Sequence, residues 1–413
     1  MPAAAGSKSV DLDIRAAEVT PDLERTTELL NRAIALDSAA GIRPLAVCRL
    51  CEALRLLAGR FTWADSSDAV ERTIRRWSTL RPSDYTPWSV LADHLSSLGH
   101  RTEAKAARAR AEALGGLPRD PVETNLIWNL RADDVGAAWS ECRVRLASTD
   151  ANDFGMFRWL CTITLRIQGR YREALALARE GSPSGSGRAR PAAPSDQIHV
   201  AVLEAETGQP LIAANAFAAF AAALADSVHW PTGLRARNTT WNLTLAATEA
   251  VAGGDTLRAR GLVDTIEAIG RQSLFPRDPV LHHFVRGLLY ARAGTHEAAV
   301  REFRVAMVSP SNGYTRINFE LARSLLAVGR PAEAIPVLRS ALHGGLDGSG
   351  LYLTRTEAHE LLAHAFDAAG QRDSAAAHYA IVERVWRMAD PFLKPRYEAA
   401  RQWLIRAGRA PVS

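Results

Sequence analysis

Between Pro279 and Asp390 one helix-turn-helix pattern is written three times in succession, and no other feature of the chain restricts its fold as much. Aligned on Gly294, Gly329 and Gly370, each copy has a large residue four positions before the glycine (Tyr290, Leu325, Phe366) and a small one seven before (Gly287, Ala322, Ala363). A small residue follows five positions after it (Ala299, Ala334, Ala375) and a large one nine after (Phe303, Leu338, Tyr379). The two helices of such a hairpin must approach closely, so Gly or Ala sits where their axes cross and large apolar residues flank the crossing. One hairpin cannot bury its apolar face alone. Stacked hairpins can, and the expected result is an all-α solenoid with contacts mainly between neighbours.

Weaker copies precede the clear ones. Trp88, Leu91, Ala92 and Leu95 lead to a turn at Gly99 and to Ala104, and Trp159 and Leu165 lead to Gly169, Tyr171 and Ala174. Gly208 with Ala213 and Phe217, and Trp241 and Ala247 with Gly254 and Ala259, mark two more. Between Gly99 and Gly169 a degenerate unit fits, with helices over Leu126–Leu130 and Val135–Leu146. The pattern from Leu23 to Leu36, and the runs Leu45–Leu57 and Ser67–Leu80, make a divergent start. The stretch 181–196, GSPSGSGRARPAAPSD, has no apolar residue larger than alanine and cannot offset its ordering entropy, so it is expected to be a mobile linker or inserted loop. These breaks divide the chain into a flexible N-terminus (1–19), divergent repeats (20–180), the linker, regular repeats (197–390) and a polar C-terminal capping helix with its tail (391–413).

Composition narrows the function classes. The chain has 413 residues, 47% hydrophobic and 23% charged, ample for a core, and a formal charge of +5 with acidic and basic residues interleaved. That reads as a salt-bridged surface, with no helix basic along one stripe as a nucleic-acid face would require, so no nucleic acid is expected as partner. All but three of the 50 basic residues are arginine and alanine is abundant, the usage of a GC-rich bacterial genome. The longest uncharged run, Leu211–Ala225, is too short to span a bilayer, and residues 1–14 lack the apolar segment of a signal peptide. No membrane insertion and a cytoplasmic location are the expectations. The four cysteines are too few to staple such a chain. Cys48 and Cys51 form a C-x-x-C that the run Leu45–Leu57 would place in mid-helix, away from the N-terminal position at which a redox pair is activated, so buried structural cysteines are expected.

The spacing of large, small, large, turn, small and large residues resembles the tetratricopeptide repeat, strongly over Tyr85–Gly116 and Pro279–Asp390 and weakly elsewhere. The C-terminal part is similar to repeat modules appended to bacterial signalling and regulatory proteins, without a kinase or DNA-binding segment before it. The resemblance implies a right-handed α-solenoid of about nine helix pairs whose first helices line a groove for a peptide or partner helix. Carried over by position, the groove residues are Trp159, Ile163 and Arg166; Ile198 and Val202; Trp241; Phe284 and Leu288; Arg316, Phe319 and Arg323. Apolar in the middle with arginines beyond, such a groove would favour an acidic, partly apolar segment.

Enzyme chemistry has no foothold in the pattern. His359 and His364 are five residues apart, off the four-residue spacing that aligns two ligands on a helix, and no phosphate loop, nucleophile elbow or dinucleotide fingerprint occurs. A non-enzymatic protein-protein interaction scaffold without cofactor or metal is therefore expected. The alternatives are a ligand-responsive module gating a separate kinase or transcription factor, with a pocket at the 181–196 break, and an enzyme on a helical scaffold.

Overall fold

The structure, a computed structural model, describes residues 2–20, 22–39, 48–64, 66–117, 121–147, 151–180, 194–225, 230–273, 275–310, 315–343 and 353–409. Among these there are 21 α-helices and no strand. They divide into two compact units, Met1–Arg119 and Asp120–Ser413, so the division falls ahead of the degenerate repeat and not at 181–196.

The first unit holds three hairpins: α1 (Pro2–Val19) with α2 (Leu23–Ala39), α3 (Arg49–Trp63) with α4 (Ser67–Leu80), and α5 (Thr86–Ser97) with α6 (Arg101–Ala113). The stretch 1–19, expected to be flexible, therefore contains a helix, and it supplies a tenth hairpin to the nine expected. Val10, Ile14 and Ala17 bury one face of α1 in a core with Leu30, Ile34, Leu54 and Trp77. The Arg60 guanidinium from α3 donates to the carbonyls of Ala17 and Glu18, at 2.9 and 3.0 Å, which satisfies the end of α1. Within the described part of the run Leu45–Leu57, α3 begins at Arg49 with Cys48 as its cap, and it continues through Gly59 to Trp63.

The second unit holds seven hairpins and a terminal helix. They are α7 (Pro121–Arg131) with α8 (Val135–Leu146), α9 (Ala151–Ile167) with α10 (Tyr171–Arg179), and α11 (Pro194–Glu206) with α12 (Pro210–Ala225). Next come α13 (Thr232–Ala252) with α14 (Thr256–Gly270), α15 (Leu281–Arg292) with α16 (His296–Ala306), and α17 (Thr315–Ala327) with α18 (Pro331–His343). Finally α19 (Arg355–Ala368) pairs with α20 (Arg372–Val385), and α21 (Lys394–Arg406) closes the array. Pro194, Ser195 and Asp196, the last residues of the expected linker, start α11; the remainder of that stretch, and the glycine-rich insertion from residue 344 onward, lie outside the described residues.

The repeat arithmetic holds in the packing. The seven turn glycines from Gly99 to Gly370 all take positive φ, and Ala299, Ala334, Ala375, Ala322 and Ala363 are buried at the crossings with Phe303 and Leu338 beside them. Tyr290 is an exception among the large residues, being exposed. In the degenerate hairpin the turn position is taken by Asp133 at φ 56°, a conformation that a short polar side chain tolerates.

Contacts are not confined to neighbours, because the second unit joins its own ends. The Thr356 hydroxyl of α19 donates to the Ile167 carbonyl of α9 at 2.7 Å, and the Asp390 amide donates to the Gly169 carbonyl at 2.9 Å. Tyr171 stacks on Phe392 at 5.8 Å. Gly169 allows this approach: a Cβ there would lie 2.7 Å from Leu393 and 2.8 Å from Ala389. Asp133 accepts from the Arg355 guanidinium (3.0 Å) and lies 3.1 Å from His359 Nε2. Burial works to raise the Asp133 carboxyl, but His359 and the Arg355 guanidinium outweigh it and hold it well below the usual carboxylate range. The terminal helix is thus more than a cap, since the segment leading into it forms part of this seam.

Candidate functional site: the first-helix face of the second unit

The first helices of successive hairpins, α9 to α17, carry the side chains that repeat position assigned to a groove. Their surroundings differ sharply along the array.

On α9 and α11 the face is filled. Arg166 is 0% exposed, and its guanidinium meets the Glu206 carboxylate in a two-pronged ion pair, Nε to Oε2 at 2.8 Å and Nη2 to Oε1 at 2.5 Å. Burial pushes the Glu206 carboxyl up, against the pull of Arg166. Ile163 and Val202 are core residues, and Ile198 packs on that core. Trp159 is half-buried and stacks on His199 with ring centroids 5.7 Å apart. Burial, followed by the Arg166 and Arg158 guanidinia, pushes the His199 imidazole down to about 3.

The long helix α13 is buried on several sides, and its polar residues answer part of their own demand. Thr244 and Thr248 donate to the carbonyls four residues back at 2.8 and 2.7 Å. Trp241, half-buried at its middle, lies under the Arg277 guanidinium at 3.7 Å. Phe284 of α15 is fully buried against Phe303 of α16, with centroids 5.8 Å apart. Ile163, Val202 and Phe284 are therefore packing residues. They cannot meet a partner while the fold is intact.

Farther along, the face opens. A cavity of about 460 Å³ lies between α13, α15 and α17, with Val251 and Leu288 among its apolar lining and Arg292, Arg316, Arg323 and His296 among its polar lining. Arg316 is paired with Glu249 at 3.0 Å. Arg323 has a side chain 60% exposed, with a long contact of 3.5 Å to Glu320, and its guanidinium lies 5.9 Å from the half-buried Phe319 ring. Ser324 is 1% exposed, yet its hydroxyl has no partner among the described residues, and neither does the buried Nδ1 of His296. A hydroxyl left unpaired in a buried wall is unusual, because it forgoes the hydrogen bond it would have in water. Together these groups offer an apolar patch, the exposed guanidinia of Arg292 and Arg323 and a donor unpaired among the described residues, the equipment for holding a carboxylate attached to an aliphatic group.

Of the eleven residues assigned by position, the structure brings Leu288, Arg316 and Arg323 to this cavity. Arg292, His296 and Ser324 belong to it too but escaped the sequence reading, because they fall outside the chosen repeat positions: one at the end of α15, one at the start of α16, and one beside Arg323. Among the described residues no group of three His, Cys, Asp or Glu could hold a metal ion, and no helix is long and apolar enough to cross a membrane.

No protein-family profile matches the sequence, nor does any curated protein. Solved structures do. Cut9, in the APC/C hetero-tetramer with Hcn1, aligns over 97% of this chain and 72% of its own at 13% identity, with a TM-score of 0.51. A tetratricopeptide repeat protein from Parabacteroides merdae aligns over 69% of this chain and 97% of its own at 14% identity and TM-score 0.36. The human IFIT1 dimer with PPP-AAAA aligns over 95% and 87% at 14% identity and TM-score 0.36. The chain has a tetratricopeptide-like helical-repeat fold.

Proposed function

We propose that the protein is a non-enzymatic interaction scaffold that takes an acidic, partly apolar segment of a protein partner on the first-helix face of α13, α15 and α17. The observation that carries this reading is the cavity of about 460 Å³, where the exposed arginine Arg323 and the Ser324 hydroxyl, unpartnered among the described residues, border the apolar Val251 and Leu288. An aliphatic side chain would displace water from Val251 and Leu288, while a neighbouring carboxylate accepts from Arg323 or Arg292 and from Ser324. Because the helices are fixed by the core behind them, binding would order little of the scaffold itself, which favours affinity. Cut9, the neighbour whose fold is most useful for comparison, is likewise solved with a protein, Hcn1.

The test is selection of a displayed random-peptide library on the purified protein, run in parallel on Arg323→Glu. Peptides from the wild type should be enriched in Asp or Glu beside Leu, Ile or Val, and Arg323→Glu should lose them while its circular dichroism is unchanged. Enrichment without acidic residues, or equal recovery on both proteins, would overturn the reading.

A further inference from the structure

The C-x-x-C of the first unit lies somewhere other than its sequence suggested. Cys48 is the N-cap of α3, its Sγ accepting the Cys51 amide at 3.2 Å, and the two cysteines form a disulfide. From the loop before α5, the Asp84 carboxylate reaches the same place. Asp84 is 2% exposed; its Oδ1 accepts the Thr86 amide at 2.8 Å, and its Oδ2 lies 4.0 Å from Cys51 Sγ with no other partner among the described residues. Asp37 takes the neighbouring Leu50 amide at 2.9 Å, and Arg49 in the first turn is paired with Asp11 at 2.7 Å and Glu52 at 3.2 Å. Cys48 is 8% exposed, whereas Cys51 is half-buried.

The second pair makes a useful contrast. Cys142 and Cys161 also form a disulfide, joining α8 to α9, and both are fully buried in the apolar core, with the Thr164 hydroxyl 3.8 Å from Cys142 Sγ. That is a structural link. Cys48 and Cys51, expected as buried structural cysteines, are thus joined as the second pair is, one pair sealed and the other partly exposed.

We propose that Cys48–Cys51 is a reversible dithiol–disulfide site that exchanges two electrons with a thiol partner, either a low-molecular-weight thiol or a dithiol on another protein. In the reducing direction a partner thiolate attacks Cys51 Sγ, a new S–S bond forms, and the Cys48–Cys51 bond breaks with its electron pair leaving on Cys48. The N-terminus of α3 and the Cys51 amide stabilise that Cys48 thiolate, which makes it the better leaving group. A second partner thiolate then attacks the partner's sulfur in the mixed disulfide, releasing Cys51 and an oxidised partner disulfide. Two partner thiols are oxidised and the protein pair is reduced. The protons those thiols release end on Cys51 and in solvent, and the Cys51 thiol so formed donates to Asp84 Oδ2. In the oxidising direction Asp84 accepts that proton back as Cys51 attacks a partner disulfide, and Cys48 resolves the adduct.

The experiment uses the folded full-length chain, with the buried pair as internal control. The protein is incubated with dithiothreitol, sampled over time, blocked with N-ethylmaleimide and read by peptide mass spectrometry; the reduced protein is then returned to glutathione disulfide. Cys48–Cys51 should open roughly ten-fold or more faster than Cys142–Cys161 and should re-form without unfolding. Cys48→Ser, if folded by circular dichroism, should accumulate a glutathione adduct on Cys51. Opening of both pairs at one rate, or opening of Cys48–Cys51 only when urea unfolds the chain, would overturn the proposal, and this wild-type comparison decides it whether or not the variant folds.

Discussion

Two stretches of the first-helix face carry similar residue types and end in opposite states. On α9 and α11, Arg166 is sealed against Glu206 and Trp159 is covered by His199. On α17, Arg323 projects into solvent and the Ser324 hydroxyl has no partner among the described residues. Repeat position is the same kind of information in both places, since it says which side of the hairpin a residue occupies. What differs is the source of the carboxylate: α11 supplies Glu206 at the right height for Arg166, whereas among the described residues Arg323 meets Glu320 of its own helix at 3.5 Å. A repeat therefore specifies a face, and its neighbours decide whether that face becomes core or site.

The largest expected effect tests the sealed side of this comparison. Arg166→Ala removes one partner of a buried ion pair and leaves the Glu206 carboxylate without its counter-charge, which should cost about 3–5 kcal/mol. Urea denaturation followed by circular dichroism would measure it, with Arg323→Ala, expected within about 0.5 kcal/mol of wild type, as the open-side control. Equal losses for the two variants would erase the distinction between the faces.

Why one half of this contrast was legible in the sequence, and the other not, has a physical basis. The turn glycines, the crossing alanines and the helices over Ser67–Leu80 and Val135–Leu146 depend on local sterics that neighbouring residues specify. Contacts such as Thr356 with Ile167 or Arg355 with Asp133 join residues 189 and 222 positions apart, and no periodicity encodes them. The turn at Asp133 was missed for a related reason: glycine is the usual signal for positive φ, and an aspartate held there by Arg355 and His359 does not look like a turn until those partners are in place. The cysteines show the cost of a shifted boundary. Starting α3 at Arg49 and not at Leu45 converts a mid-helix pair into one at the helix N-terminus.

The next test concerns what lies behind the open face. The cavity is not a symptom of loose packing: at Gly287, one residue before Leu288, an added Cβ would fall 2.5 Å from the fully buried Phe303 ring. Gly287→Ala should therefore destabilise by about 1–3 kcal/mol although alanine favours helices. Gly261→Ala in α14, where a Cβ meets nothing within 4 Å, should instead stabilise by about 0.5–1 kcal/mol. Thermal unfolding of the two variants should shift in opposite directions, and a shared sign would show that the α15–α16 crossing yields more easily than its geometry implies.

Protonation separates the faces as well. The His199 imidazole is held down to about 3 in the folded protein, against an unfolded value near 6.5, so the unfolded chain takes up the proton first. Stability attributable to a neutral His199 is complete above roughly pH 6.5 and falls as the pH drops below it, by about 2 kcal/mol at pH 5. His378, also pushed down, to about 4, adds a slope of the same sign. His199→Phe keeps a ring over Trp159 and removes the proton, so the difference between wild type and variant isolates one residue. Denaturation curves at pH 7 and pH 5 should converge for the variant relative to wild type. Parallel losses in both would assign the acid sensitivity elsewhere.

The smallest effect is the sharpest probe of the open side. Ser324 and Thr248 line one cavity, and both hydroxyls are buried, but Thr248 donates to the Thr244 carbonyl whereas Ser324 donates to nothing described. A satisfied hydroxyl contributes about 1 kcal/mol, while an unsatisfied one is a burden that its removal relieves. Ser324→Ala should thus leave stability unchanged or raise it by up to about 1 kcal/mol, although the residue is as buried as much of the core. The same variant should weaken the acidic peptides recovered by selection, because their carboxylate loses a donor that the free protein holds in reserve. A polar group that costs the fold something and is used only by a ligand must show both signs at once. If Ser324→Ala instead destabilised the protein as a loss of Thr248 bonding would, the hydroxyl would be serving the fold, and the face of α17 would be as closed as that of α9.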